Sequence, residues 1–484
     1  MSETKETTKK KKQEEKIELP EHSGMMRRAE SISGYPTTSL SGDFITNPSL
    51  MSNPEVIEIN SRTEEEIEAQ KSAVKKLTEK MGNIIYQIRT NPQQPVAPVD
   101  PDGVKVDVII PCFKAHKVLP RLLGSIISQT IVQDLEVTLV NDGCDEDYQD
   151  IIKKFGDFVK IREVKIKVNG GPGMARRVGY EHTGNPLVTW IDADDTFANA
   201  FSLDILRKQL LMEPINMACM GTFIEEHLEI NQMIPHQGDT IWMFGKMYRR
   251  DFLDKYNVKM NDSRGNEDNG FNMLVKFLCC NEMERIKFIG DPVYFWHSNE
   301  NSITRINDCQ YSYDQSFSGY TENMIWAIKE GEKRNPFNGA ILYEKVAIMF
   351  NLYEYYIETV ARDPRFIEQN WGSCKLFYKE VYDEVKHKIP SEVFIQAYND
   401  VIRNAYMGDK LNGIIPCMGI QEFLDKLDRE LHGSESTGST HVPETAGATV
   451  VENTNPIPAV PQGFVREGAQ LQPQPQQFTG TRRM

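Results

Sequence analysis

The sequence is short of positive charge: 55 Lys and Arg against 70 Asp and Glu leave a net charge of −15. A protein that grips a nucleic-acid backbone needs a basic surface, so that class is not expected, although a nucleic-acid base stays open as an acceptor of chemistry. No run of about 18 apolar residues occurs, so no transmembrane helix is expected. The first residues, MSETKETTKKKKQEEK, hold no apolar core of the kind a secretory signal needs, and a cytoplasmic protein is expected. Cysteine is sparse. The eight thiols form no CxxC pair and no regular framework, and several lie in apolar runs. Reduced, buried thiols are expected in place of disulfides or zinc.

What the sequence does contain is a chain of 484 residues, too long for one ordinary core, with 39% hydrophobic and 26% charged residues. Residues 1–62 read as a disordered polar tail. Over 63–90, Ile67, Val74, Leu77, Met81, Ile84, Ile85 and Ile88 fall near helical spacing, which predicts an amphipathic helix that packs on a neighbour or self-associates. Residues 91–103, NPQQPVAPVDPDG, form a Pro-rich linker. Over 104–307, apolar β-branched runs alternate with helical patterns, the signature of an α/β layer fold with a mainly parallel sheet. From 308 to 432 the pattern is helical and rich in Tyr and Phe. Residues 433–484 are a low-complexity tail.

In open α/β sheets a ligand binds beyond the carboxyl ends of the strands. The polar motifs sit at those ends: Pro111-Cys112-Phe113-Lys114, Asn141-Asp142-Gly143, Asn169-Gly170-Gly171 and Asp192-Ala193-Asp194-Asp195. Each alone has a plain reading. An Asp tetrad is more often an acidic turn or helix cap, and Asp-Gly is a common turn. The Gly-rich stretch before Arg176 and Arg177 is a strand-to-helix turn that equally suits an anion at a helix start. Together, at successive strand ends, they describe a nucleotide site. Three crowded carboxylates call for a cation, and hard divalent ions take carboxylate and phosphate oxygens. Further on, Glu267-Asp268 opens a predicted helix, where acids are also favoured by the dipole alone. His297 follows the aromatic run Phe295-Trp296.

The ordered set PCFKAHKVLPRLLGSIISQ, VTLVNDG, NGGPGMARRVG, WIDADD and GNEDNGF resembles family 2 of the inverting glycosyltransferases, with the GT-A fold. The departures are Phe113-Lys114 for the usual Tyr-Asn, Asn141 for the first Asp of Asp-Asp-Gly-Ser, and Arg177 for an Asn. The resemblance implies a GT-A type, Rossmann-like mixed sheet flanked by helices and followed by a helical region. It implies a metal-dependent hexosyl- or N-acetylhexosaminyl-transferase that inverts the anomeric centre. Asp268 would then be the catalytic base, with Glu267 orienting it or the acceptor. Pro111, Phe113, Asp142, Gly171, Arg176, Asp192 and Ala193 would bind the donor, a UDP-sugar being the first expectation. Asp194 would hold Mn²⁺ or Mg²⁺, with His297 completing the metal shell or touching phosphate, and Arg305 beside the same phosphates. The acceptor is a hydroxyl of unspecified origin. Two other readings stay open: a catalytically weak domain serving assembly, with residues 63–90 and the helical region as docking elements, and a nucleotidyltransferase.

Overall fold

The structure, a computed structural model, describes residues 53–228, 231–263, 265–279, 284–299, 310–335, 340–362, 365–403 and 418–433. In chain order the elements are β1 (Val56–Ile59), α1 (Glu64–Thr90), β2 (Val106–Cys112), α2 (Leu119–Ile127), β3 (Leu135–Asp142), α3 (Gln149–Phe155), β4 (Lys160–Ile166) and α4 (Pro172–Glu181). There follow β5 (Leu187–Trp190), β6 (Thr196–Phe197), α5 (Ser202–Met212), β7 (Asn216–His227), β8 (Gln232–His236), β9 (Lys246–Arg249), α6 (Arg250–Lys255), α7 (Glu267–Leu278) and β10 (Arg285–Trp296). The last group is helical: α8 (Gln310–Arg334), α9 (Ala340–Arg362), α10 (Arg365–Phe377), α11 (Ser391–Ala397) and α12 (Ile420–His432).

Among the described residues the strands form one mixed sheet of ten, in the order β1-β4-β3-β2-β5-β9-β7-β10-β6, with β8 paired to β7. Strands β4, β3, β2 and β5 run parallel, so Ile166, Asp142, Cys112 and Trp190 end at one edge. Strand β9 is antiparallel to both β5 and β7, which brings its first residue, Lys246, to that same edge. The central strands are buried along most of their length, which is why their sequences read as unbroken apolar runs rather than alternations.

The sheet is covered on both faces. Helix α2 presents Leu119, Leu122, Leu123 and Ile126 to one apolar cluster, at the helical spacing the sequence shows. Helix α4 lies against the other face through Met174, Ala175 and Val178. Its Gly179 is a packing glycine: a Cβ there would stand 2.3 Å from Ile109 Cγ2 and 2.9 Å from Val140 Cγ2. Overpacking of this kind costs about 1–3 kcal/mol. Gly179→Ala is therefore expected to lower the urea midpoint with an unchanged slope; an unchanged midpoint would show that the helix is free to move away.

Three expectations change. The polar segment ending at residue 62 is ordered over its last part, because Val56–Ile59 adds an antiparallel edge strand to β4 with Val56 opposite Ile166. The rest of that tail, residues 1–52, and residues 434–484 lie outside the described residues. Helix α1 begins at a capping box, with Thr63 Oγ1 accepting from Glu66 N at 3.1 Å and Glu66 Oε2 accepting from Thr63 N at 3.0 Å. Its stripe of Leu77, Met81 and Ile84 is used within the chain, in one cluster with Val99, Val106 and Leu135, and so is not open for self-association. Finally, the helices after residue 308 are not an appendage. Phe317, Met324, Ile328, Val346, Phe377 and Phe423 belong to one continuous cluster with Phe271 and Phe277 of α7 and with Ile109 and Val140 of the sheet. No helix among the described residues is long and apolar enough to cross a membrane.

Candidate active site

The loop after β3 is fixed by its own backbone geometry. Asp142 is buried, and its carboxylate oxygens accept from the N–H groups of Gly170 and Gly171 at 2.8 and 2.9 Å. The two strand-end loops are thereby tied together. Gly143 has φ +67°, and a Cβ there would stand 2.3 Å from Asn169 N; Gly171 has φ +86° as it starts α4. Both glycines of the pattern are thus required by the backbone. Pro111 and Phe113 are part-exposed at the end of β2, facing out of the same edge, and Lys114 takes a left-handed φ of 54°. The substitution of Asn141 is also legible: its amide donates to Glu163 Oε1 at 3.1 Å and to Glu146 O at 3.0 Å, which a carboxylate could not do.

Arg176 occupies the centre. Its Nη2 donates to Asp192 Oδ1 at 2.6 Å and its Nη1 to Glu267 Oε1 at 2.6 Å, which joins the loop after β5 to the start of α7. The guanidinium is 5% exposed. Burial disfavours the cation, but Asp192, Glu267 and Asp268 outweigh it and hold the group above its ordinary value. The sequence suggested a fork presented to phosphate; in the structure that fork is filled by two carboxylates. Arg177 is likewise engaged, with Asp262 at 2.8 and 3.1 Å. Trp190 Nε1 donates to the carbonyl of Arg176 at 3.2 Å, so the helix and the strand end move as one unit.

The acidic tetrad divides its labour. Asp195 is buried and accepts from Tyr294 Oη at 2.5 Å and from His297 N at 2.9 Å, which clips the loop to β10. Asp192 and Asp194 are part-exposed. Ala193 between them is buried. One oxygen of Asp194 accepts from Asn299 Nδ2 at 2.8 Å, and its carbonyl accepts from Arg121. Burial, and then the charge of Asp192, pushes the Asp194 carboxyl up. Crowded oxygen donors of this kind suit a hard divalent ion. His297 stands at the same loop: its Nε2 lies 2.9 Å from Thr196 Oγ1 and its Nδ1 3.6 Å from Glu226, while burial holds its pKa down. Among the described residues a three-residue group of metal-ligand type forms elsewhere, at Asp383, Asp428 and His432, and Lys386 already bridges its two carboxylates. Arg305 lies outside the described residues.

Glu267 and Asp268 start α7 after Asn266, which takes φ 59°. Glu267 is 4% exposed and Asp268 part-exposed, with Asp268 Oδ1 accepting from Asn269 N at 2.8 Å. Burial raises both carboxyls, against the pull of Arg176. The pair is thereby sorted: Glu267 is buried against Arg176, whereas Asp268 keeps part of its surface open. Sequence spacing alone did not reveal Arg121 of α2 and Tyr294 of β10, which bond the loop after β5 from distant positions.

Residues 107–264 match the family model described as Glycosyl transferase family 2. An uncharacterized glycosyltransferase, EpsJ of Bacillus subtilis (strain 168), is 26% identical over 227 residues, covering 42% of this chain and 63% of that protein. A glycosyltransferase of Haemophilus influenzae is 32% identical over 133 residues, covering 26% and 50%. The chain thus spans less than two thirds of the length of either relative. Among solved structures, residues 1–349 of Staphylococcus aureus TarS in complex with UDP-GlcNAc align with 17% identity and a TM-score of 0.48, over 63% of this chain and 92% of that one. The strand-end motifs at Asp142, Gly171 and Asp192 all fall within residues 107–264, the stretch that matches the model described as Glycosyl transferase family 2.

Proposed function

We propose that the protein is a divalent-metal-dependent, inverting glycosyltransferase that uses a nucleotide-sugar donor. The observation that carries this reading is the bridge through Arg176, which sets the donor-side loop at Asp192–Asp194 beside the acceptor-side carboxylate Asp268. Relatives named glycosyltransferases support it. On this reading Pro111, Phe113, Asp142 and Gly171 line the nucleoside end, Asp192 and Ala193 the sugar-phosphate end, and Arg176 holds Asp192 in place. On the same reading Asp194 would hold Mn²⁺ or Mg²⁺, which would supply charge neutralisation for the departing diphosphate. Asp268 removes the proton of the attacking hydroxyl. The acceptor oxygen bonds to the anomeric carbon as the bond from that carbon to the phosphate oxygen breaks. The electron pair leaves with the nucleoside diphosphate, and the anomeric centre inverts. Glu267 keeps Arg176, and through it Asp192, in register.

The test is thermal stabilisation of the full chain by a panel of UDP- and GDP-sugars with Mn²⁺, since a ligand that binds the folded state raises its apparent stability. At least one donor is expected to stabilise the chain, with the shift lost in EDTA and in Asp194→Ala. A shift in Asp194→Ala equal to wild type would remove Asp194 from the metal site. Stabilisation by nucleoside triphosphates, with pyrophosphate release, would favour a nucleotidyltransferase instead.

A further inference from the structure

Trp242 is a part-exposed side chain whose backbone is held on three sides. Its N–H donates to Asp239 Oδ2 at 3.1 Å, and its carbonyl accepts from Asn272 Nδ2 at 3.0 Å and from Lys246 Nζ. The Lys246 ammonium is fully buried and also donates to Asp239 Oδ2 at 2.7 Å and to Phe244 O at 3.3 Å. Burying an ammonium is costly unless it is paired and hydrogen-bonded. Here the whole of that arrangement serves to fix one loop, residues 239–244. The indole it presents stacks on Phe244, with centroids 5.6 Å apart and planes 6° apart, and leans on Trp296 at 5.4 Å. Phe244 in turn stacks on Tyr294 at 4.8 Å, the residue that clips Asp195.

The loop is tied to the helix that carries Asp268. Asn272 stands four residues after Asp268 on α7, so the two share a helix face, and Asn272 is the residue that holds the Trp242 carbonyl. Lys246 and Asp239 both lie within electrostatic reach of Asp268. A rigid, partly open indole anchored to the helix that carries Asp268 matches one kind of acceptor. A pyranose offers a plane of axial C–H groups to an aromatic face and keeps its hydroxyls at the rim, where Asp268 would meet one of them. A serine or threonine side chain, or an open-chain polyol, has no such plane, and a nucleic-acid acceptor would meet a chain of net charge −15.

Building on the transferase reading, we propose that Trp242, backed by Phe244 and flanked by Trp296, is the platform on which a sugar ring of the acceptor stacks, so that the acceptor is a saccharide. Lys246 and Asn272 are its positioning residues.

The experiment is saturation-transfer NMR on the full chain with Mn²⁺ and UDP or GDP, using methyl β-D-glucopyranoside, methyl β-D-galactopyranoside and, as a ring-free control, ribitol. Saturation is expected on the ring C–H protons of at least one pyranoside and not on ribitol. Trp242→Leu, which keeps bulk without a π face, should weaken that binding about tenfold. Trp242→Phe should retain most of it, and nucleotide stabilisation should be equal in all three chains. Undiminished pyranoside binding in Trp242→Leu, ribitol binding as strong as pyranoside binding, or no pyranoside binding by a wild-type chain that binds nucleotide would each overturn the proposal. A wild-type chain that binds no nucleotide or nucleotide sugar at all would overturn the transferase reading itself, a failure distinguishable from the others.

Discussion

Asp268→Asn is expected to lower kcat by about 10²–10⁴-fold, the range for removal of a positioned general base. The substitution is nearly isosteric, and its amide oxygen can still accept from Asn269 N, so the start of α7 should be preserved. Donor stabilisation should therefore match wild type, because the donor loops are held by Asp142, Asp192 and Arg176 rather than by Asp268. The pH profile adds a second readout. The base works only when deprotonated, and burial raises its carboxyl against the pull of Arg176. Activity in wild type should consequently climb with pH through a midpoint above about 3.9, the ordinary Asp value. Asp268→Asn should lose that rising limb. Full turnover in the variant, with the limb unchanged, would move the base to another residue.

Arg176→Met should be the most damaging single change to stability, at about 3–5 kcal/mol, the cost of removing one partner from a buried ion pair. The methionine fills the space but leaves Glu267, 4% exposed, without its cation. The loss has a pH signature. Without Arg176, the Glu267 carboxyl is raised further above its unfolded value. A group raised in the folded state contributes stability that is present at low pH and lost as pH rises through the folded pKa. The deficit of Arg176→Met relative to wild type should accordingly be large at pH 8 and smaller at pH 5 in urea titrations. Arg176→Lys should recover only part of it, because one ammonium does not reproduce a fork that spans two carboxylates. Equal deficits at both pH values would mean that Glu267 is not the group left exposed to the loss.

The parts of this site that were legible in the sequence are those encoded locally. A buried parallel strand announces itself as an apolar run, and its polar successor marks the strand end, so the common edge that carries Asp142, Gly171, Asp192 and Asp194 could be found from position alone. Gly143 and Gly171 follow from backbone geometry that few other residues adopt. What could not be read is set by tertiary pairing. Val56–Ile59 is too short and too polar around its edges to signal a strand until β4 offers it a partner. The apolar stripe of α1 looks the same whether it meets another chain or, as here, its own sheet. Arg176 reads as a phosphate fork because Gly-rich turns often precede one; only the arrival of Glu267, 91 residues later, shows that the fork is filled. The partners of His297, Thr196 and Glu226, come from β6 and β7 and are not announced by its neighbours in sequence. The Trp242 ledge is legible only once Lys246 and Asn272 are seen to hold the same carbonyl.

On the transferase reading, Asp192, Asp194 and Asp268 together serve to break the bond between a sugar and a nucleoside diphosphate. The most direct test is the release of UDP or GDP from the matching nucleotide sugar by the purified full chain with Mn²⁺, measured beside Asp268→Asn and Asp194→Ala. Wild type is expected to release the diphosphate, faster with a pyranoside acceptor present, and both variants to release it far more slowly. Release by the two variants at the wild-type rate, or no release from any nucleotide sugar that the chain is shown to bind, would contradict that reading.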